Sequence, residues 1–415
     1  MRIQTKTARR GVAGTALATV AVLALAACGG GDAGSSEGDG PITIGSVHPL
    51  TGALAGVGGL MNEGARLAVS DINADGGIEA LGGAELELAD GDSKGTAEDG
   101  QSEAQRLIDD GAVALVGTYQ SDVTQNVAAV AERARVPLVI DVAVDDQILE
   151  QGYNYSFRIQ PNATSMGSDG ADDLADIGEQ TGTPITSVSY IHLEGSFGQS
   201  VFDAFSAQAE ERGIEVLDEV VYSGTNFTDA TTQVRQAAAG DPDVIVATGY
   251  YPDSLLIAQA VQQLGPDIDG LYGVANGAFD DSSFPGDAGR AGTQVLSANY
   301  HYAATSDRVT DIRERFEEEF GRPMETASIL SYQAVEVIAA GLEESGSSDP
   351  EALREAIAGI SIDDPLLAFD GPITFDDTGQ NENATVVVMQ VQGDAVEQVF
   401  PDQFATTDLV FPARQ

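Results

Sequence analysis

The chain has 415 residues, of which 66 are Asp or Glu and 19 are Lys or Arg, so its formal net charge is −47. Such acidity repels phosphate backbones and argues against a nucleic-acid partner, and it also disfavours docking on anionic lipid. A single Cys excludes a disulfide scaffold and a cysteine-based zinc site.

The first 27 residues have the pattern of an export signal. A basic segment over residues 2–10 precedes the apolar run 12–24, which is short for a membrane span. Leu-Ala-Ala-Cys at 25–28 resembles the bacterial lipobox, which implies that Cys28 receives diacylglycerol and begins the mature protein. The alternative is a plain secretory signal with a coincidental Cys. Residues 28–40, rich in Gly, Ser and acids, predict a flexible tether.

From Pro41 onward, short β-branched runs alternate with amphipathic segments. The first series predicts strands at 42–47, 85–89, 112–116 and 137–140, with helices at 60–73, 97–109 and 121–135. The second series predicts strands at 187–191, 215–221, 244–247 and 271–274, with helices at 199–212, 230–238 and 254–264. Three helices (307–320, 327–344 and 350–358) and two strands (373–375 and 385–391) complete the chain.

Repeated strand–helix units predict parallel sheets that are covered by helices on both faces. Two such series predict an α/β protein with two doubly wound parallel-sheet lobes. Ligands of open α/β sheets bind beyond the carboxyl ends of the strands, so two facing lobes place two such edges around one cleft. This pattern is typical of a binding protein or of a two-lobed enzyme.

The sequence lacks the motifs that are typical of cofactor binding, metal binding and hydrolysis. The Gly-rich turn 52–59 follows a strand, but Met61 stands where a dinucleotide fingerprint needs its third Gly. His48, His192 and His301 lie at or just after predicted strand ends without metal-ligand spacing. Residue types alone leave a Ser-His-Asp hydrolase open, although no His-paired motif favours one. We therefore predict a protein without catalytic residues, metal or cofactor, which is not an enzyme.

The order and spacing of several segments carry a family resemblance. Residues 44–52 (IGSVHPLTG), 62–68 (NEGARLA), 71–78 (DINADGGI), 249–252 (GYYP) and 370–376 (DGPITFD) resemble the leucine/isoleucine/valine-binding branch of the type I periplasmic-binding family. The resemblance extends over residues 41–400. It implies an extracytoplasmic receptor that passes a small-molecule solute to the permease and ATPase subunits of an ABC importer.

The same resemblance implies two lobes joined by a three-segment hinge. Lobe 1 is expected from residues 41–161 and 301–378, and lobe 2 from residues 162–300 and 379–415. We expect a monomer that is anchored by lipid to the extracytoplasmic face of the cell membrane and closes its cleft around the solute.

The family's ligand-binding positions are carried over one by one. The resemblance implies that Ser121, at a helix N-terminus, binds the ligand carboxylate, where its hydroxyl, free N–H groups and the helix dipole suit an anion. Backbone groups of Ala143 and Val144 are expected beside it. Tyr250 matches a cleft tyrosine, and Phe197 matches an aromatic residue that closes the pocket.

The ammonium side of the site departs from the family pattern. Amino-acid binders of the family have Thr where this chain has Val144, and an acid where it has Asn276. Glu194 or Asp145 is therefore considered as a replacement carboxylate. Tyr119 and Gln120 flank Ser121 and are expected to line the cleft.

These positions favour a branched-chain or other hydrophobic amino acid as the solute. Val144 lacks the hydroxyl and Asn276 lacks the carboxylate that the family pattern provides for the ammonium. An alternative interpretation is therefore that the solute is a carboxylate, amide or urea-like molecule without an α-ammonium. A third reading keeps the fold but makes the protein a ligand sensor for a membrane signalling partner.

Overall fold

The computed structural model describes residues 40–414, so the predicted signal peptide, Cys28 and nearly all of the tether lie outside the described residues. Its strands are β1 (Ile42–His48), β2 (Leu86–Asp92), β3 (Ala114–Gly117), β4 (Leu138–Ile140), β5 (Ser156–Arg158), β6 (Ser187–Leu193), β7 (Glu215–Tyr222), β8 (Val244–Thr248), β9 (Gly270–Val274), β10 (Leu296–Asn299), β11 (Val387–Gln392) and β12 (Ala395–Phe400). Its α-helices are α1 (Ala55–Ala74), α2 (Ala97–Asp109), α3 (Ser121–Ala134), α4 (Ala163–Thr181), α5 (Ser196–Glu211), α6 (Thr231–Ala237), α7 (Tyr251–Leu264), α8 (Phe284–Ala288), α9 (Asp307–Phe320), α10 (Thr326–Ser345) and α11 (Pro350–Ala358).

The strands form two sheets, and each sheet is the centre of one lobe. The first sheet has the order β2-β1-β3-β4-β5 and is parallel throughout. The second has the order β12-β11-β10-β9-β8-β6-β7, with β6 to β10 parallel and β11 and β12 antiparallel. The predicted fold class, two doubly wound α/β lobes, is confirmed.

Burial explains why the central strands read as continuous apolar runs. β3, β4, β8 and β9 are buried at every position, as expected for parallel strands with helices on both faces. Helices α1 and α10 pack together beside the first sheet, and α4 and α5 pack together beside the second. In residues 40–414, no helix is long and apolar enough to cross a bilayer.

The chain passes between the sheets three times, after β5, after β10 and before β11. Two of these crossings lie side by side, because the Arg158 N–H donates to the Gly379 carbonyl at 2.8 Å and the Asn381 N–H donates to the Arg158 carbonyl at 2.9 Å. The buried Arg158 guanidinium also donates to the Asp145 carbonyl and to the Gln380 side chain. Burial lowers the pKa of this guanidinium to about 10, so it remains charged at neutral pH.

The structure corrects the predicted elements in several places. The strand predicted at 373–375 is wrong, because Ile373 and Phe375 form only isolated bridges, to Ile362 and Asn381. Helix α1 begins at Ala55, five residues before the prediction. Three strands and two helices had not been predicted: β5, β10, β12, α4 and α8. β5 has three residues and α4 is rich in Gly and Asp, so their periodic signals are weak.

Candidate functional site

Loops that follow the carboxyl ends of strands in both sheets meet around one cavity, which holds about 370 Å³ of empty space when its opening to solvent is included. The first sheet contributes the loops after β3 and β4. The second contributes the start of α5, which follows β6, and the loops after β8, β9 and β10. The residues that line the cavity are Tyr119, Ser121, Val142, Ala143, Val144, Met166, Phe197, Gly249, Tyr250, Ala275, Gly277, Asn299 and Tyr300.

Ser121 lies in the cavity wall at the first position of α3. Its side chain is nearly buried, and its hydroxyl accepts the Asp145 N–H at 3.3 Å. The first turn of a helix presents N–H groups and the positive end of the helix dipole. This corner of the cavity is therefore suited to an anionic group.

Ala143 and Val144 also line the cavity, beside Ser121. The Ala143 carbonyl accepts from the Gln160 side chain at 2.8 Å, and the Val144 carbonyl accepts the Ala163 N–H at 2.7 Å. These bonds fix the loop after β4 against the start of α4. The loop is thus held rigidly, as a preformed site requires.

Aromatic rings from both lobes cover the cavity. Phe197 and Tyr250 stack with their ring centroids 5.4 Å apart, and Tyr119 contacts Tyr250 across the cleft at 5.3 Å. Tyr300 completes the apolar wall. Burial raises the pKa of the Tyr119, Tyr250 and Tyr300 hydroxyls, which therefore stay neutral.

A second chamber, with about 460 Å³ of empty space including its opening to solvent, shares Tyr119, Gly277, Asn299 and Tyr300 with the cavity described above, which is the first chamber. Its other lining residues are Val57, Leu60, Asp280, Asp281, Glu325, Thr326 and Ala327. Sequence reasoning missed its three acids. Asp280 and Asp281 follow the loop after β9, which was a signal, but nothing in the sequence indicates that Glu325 approaches them.

The structure does not bring Asn276 to the cavity, which corrects the expected role of its side chain. The amide donates to the Ala247 carbonyl at 3.1 Å and accepts the N–H groups of Ala278 and Phe279 at 3.0 and 3.3 Å. A fully buried amide with these bonds shapes the loop after β9. It has no contact with either chamber.

Three further expectations on polar side chains are also corrected. Glu194 is exposed and lines neither chamber, and its N–H donates to the Tyr222 carbonyl. Asp145 is buried behind Ser121, where its carboxylate accepts from the Gln125 side chain at 2.7 Å. Gln120 turns its amide away to donate to the Gly95 carbonyl at 3.0 Å.

The cavity includes residues that had not been predicted, among them Met166 and Asn299. Asn299 ends β10, a strand absent from the prediction, so its position at the sheet edge was not recognised. Its amide donates to the Asn276 carbonyl at 3.1 Å and to the Asp280 carboxylate at 3.0 Å. Asn299 thus connects the loop after β9 to the second chamber.

A Ser-His-Asp arrangement does form, but none of its three residues lines either chamber. Ser46 Oγ lies 2.9 Å from His48 Nδ1, and His48 Nε2 lies 2.8 Å from Asp141 Oδ2. All three are buried, and Ser331 of α10 donates to the same carboxylate. These residues join β1, the loop after β4 and α10, which is the arrangement of a buried structural network.

Two facing α/β lobes with a partly open cavity at their strand ends are the arrangement of a two-lobed binding protein. The profile of the periplasmic binding protein family matches residues 41–395, and the chain belongs to this family. Its members act outside the cytoplasmic membrane as receptors for small molecules.

Curated relatives match over nearly their whole length. The Leu/Ile/Val-binding protein homolog 7 of Brucella suis is 27% identical over 395 residues, which cover 92% of this chain and 96% of the relative. Homolog 8 of Brucella abortus is 27% identical over 379 residues, covering 89% and 93%.

Solved structures share the fold. A leucine-binding protein, LivK, of Thermotoga maritima superposes with a TM-score of 0.74 at 23% identity, covering 86% of this chain and 97% of that one. A solute-binding protein of R. palustris in complex with benzoate superposes with a TM-score of 0.76 at 17% identity, covering 90% and 97%.

Proposed function

We propose that this protein is the solute receptor of an ABC importer, and that its solute is a small carboxylate with an apolar body, most simply a branched-chain or other hydrophobic amino acid. The observation that carries the proposal is the cavity between the lobes, with Ser121 and the α3 N-terminus at one end and four aromatic side chains around it. Ser121 and the α3 N-terminus suit a carboxylate, and the aromatic side chains suit an apolar body.

A non-amino carboxylate is the second candidate. Val144 offers no hydroxyl to an ammonium, and the Asn276 side chain is bonded within its own loop. The benzoate complex of the R. palustris protein shows that this fold accommodates such a solute in that protein.

Thermal-shift titration of the purified receptor tests the proposal. A solute present at 100 times its Kd adds about 2.7 kcal/mol to the free energy of unfolding, so binding raises the melting temperature. Matched pairs of amino acids and their des-amino carboxylates separate the two candidates. The proposal fails if no carboxylate shifts the melting temperature, and turnover of any of them indicates an enzyme.

Binding should be accompanied by closure of the cleft, with the three crossings as the hinge. Small-angle scattering of a monomeric sample should therefore give a smaller radius of gyration with a bound solute than without it. An unchanged radius with a solute proven to bind contradicts hinge closure.

The proposed lipid anchor rests on Cys28 and is tested separately. In the native host, the protein should take up a labelled fatty acid and sediment with membranes, and Cys28→Ser should abolish both. If the Cys28→Ser variant still takes up the labelled fatty acid, the lipobox assignment is wrong. Neighbouring genes for a permease and an ATPase favour transport, whereas a neighbouring kinase favours the sensor.

A further inference from the structure

The second chamber is built from both lobes. Asp280 and Asp281 follow β9 of the second sheet, whereas Glu325 immediately precedes α10, which packs on α1 and against the first sheet. Ser282 donates to Glu325 through its N–H at 3.1 Å and through its hydroxyl. The acids thus face one another where the lobes meet.

Negative charge in this chamber lacks a basic partner. Among residues 40–414, those that line the two chambers include no Lys, Arg or His. Burial raises the pKa of Asp280 to about 8 and of Glu325 to about 7, and it raises that of Asp281 as well. These carboxyl groups are poorly solvated as anions, so a cation placed among them would be stabilised.

The charged groups nearby do not provide that cation. Asp287 adds negative charge beside Asp281. Arg313 lowers the pKa of Glu325, but its guanidinium lies 4.2 Å from the centroid of the Tyr302 ring and donates to the Met324 carbonyl. It is therefore bound outside the chamber.

Two features indicate an organic cation. Tyr119 and Tyr300 contribute to the walls of both chambers, and aromatic ring faces attract ammonium and guanidinium groups. No group of three His, Cys, Asp or Glu side chains in the described chain is arranged to hold a metal ion. Asp280 is the best placed of the three acids, because Asn299 of the first chamber positions its carboxylate.

We infer that the second chamber binds a positively charged group of the solute, with Asp280 as its main counter-ion and Asp281 and Glu325 beside it. The solute is then a zwitterion whose carboxylate lies at Ser121, so the inference rests on the proposed function. A cation bound to acids of both lobes also removes their mutual repulsion and favours the closed cleft.

Three pairs of probes test the inference by calorimetry: leucine with 4-methylpentanoate, phenylalanine with 3-phenylpropanoate, and 6-aminohexanoate with hexanoate. Each pair differs only in the ammonium group, and the third places it far from the carboxylate. The variants are Asp280→Asn and Glu325→Gln, with Asp402→Asn as a control, because Asp402 is an exposed aspartate outside both chambers.

We expect at least one zwitterion to bind ten times more tightly than its partner, and Asp280→Asn to remove most of that preference while Asp402→Asn keeps it. In the parent protein, the affinity for the zwitterion should also rise between pH 6 and 8.5. In the Asp280→Asn variant, this rise should be absent. The melting temperature of each free variant verifies folding.

Two results overturn the inference, and they are distinguishable. If both members of every bound pair bind equally, or if Asp280→Asn and Glu325→Gln leave the preference intact, the carboxylate receptor stands and only the acidic subsite fails. If no carboxylate binds, the proposed function fails and the subsite with it.

Discussion

Ser121 serves the fold and the proposed site with the same hydroxyl. It begins α3, contacts the Asp145 N–H and faces the cavity. Ser121→Ala should weaken binding of a carboxylate solute by about 1–3 kcal/mol, the usual range for a hydrogen bond to a charged group. Calorimetry measures this loss.

The control for that variant is Thr96→Ala. Thr96 caps α2 by accepting the Asp99 N–H at 3.1 Å and lines neither chamber. Thr96→Ala should lower the free energy of unfolding by about 1 kcal/mol and leave the affinity for the solute unchanged. Equal losses of affinity in both variants would assign the effect to folding and not to Ser121.

Asn276→Asp tests the reassignment of Asn276 from ligand to loop. The substitution removes the donor to the Ala247 carbonyl and places an anion in a fully buried site. It should destabilise the protein by about 1–3 kcal/mol, as measured by chemical denaturation. Tighter binding of leucine at unchanged stability would restore the role that the family pattern implied.

At the scale of elements, the contact between α1 and α10 depends on one small residue. A Cβ atom at Gly64 would lie 2.1 Å from the Ser328 carbonyl oxygen, whereas one at Gly56 in the same helix meets nothing within 4 Å. Gly64→Ala should destabilise the protein by about 1–3 kcal/mol through overpacking. Gly56→Ala should stabilise it by about 0.5–1 kcal/mol.

Denaturation of the two variants side by side checks this contrast. Both substitutions add one methyl group to one helix, so helix propensity changes in the same direction. A similar change in stability for both would mean that α1 and α10 are not in close backbone contact.

At the scale of the whole molecule, several enclosed carboxyl groups make stability depend on pH. Burial raises the pKa of Asp280 to about 8, of Glu325 and Glu336 to about 7, and of Asp169 and Asp253 to about 6. Because these folded-state pKa values exceed the unfolded ones near 4, the native state binds more protons in this range.

The free energy of unfolding of the ligand-free protein should therefore fall as the pH rises from about 5 to 8.5. Melting temperatures at constant ionic strength measure this, and Asp280→Asn with Glu325→Gln should flatten the decline relative to Asp402→Asn. A stability that rises with pH over this window would contradict the burial of these groups as protonated acids.

The excess of acids over bases, 66 against 19, makes a second prediction for the whole chain. Like charges repel over about 10 Å at 0.1 M salt and over only about 3 Å at 1 M. The melting temperature should therefore rise with NaCl. A value that stays flat up to 1 M would show that the charges are already balanced locally.

The sequence by itself determined the features that follow from local pattern. Runs such as β3 and β8 are apolar because both of their faces are buried, so the alternation with helices reveals two parallel sheets. The position of Ser121 between a strand and a helix likewise places it at a sheet edge. The short strand β5 and the polar helix α4 were not predicted, because their stability comes from packing and not from local preference.

Only the tertiary structure decided which polar side chains face the cavity. Asn276 and Asp280 lie four residues apart in one loop, yet the first bonds to its own backbone and the second faces the chamber. Glu325 reaches that chamber from the other lobe, 45 positions after Asp280 in the chain. Side-chain direction in a loop depends on the hydrogen bonds and packing that surround it, and these form only when distant segments meet.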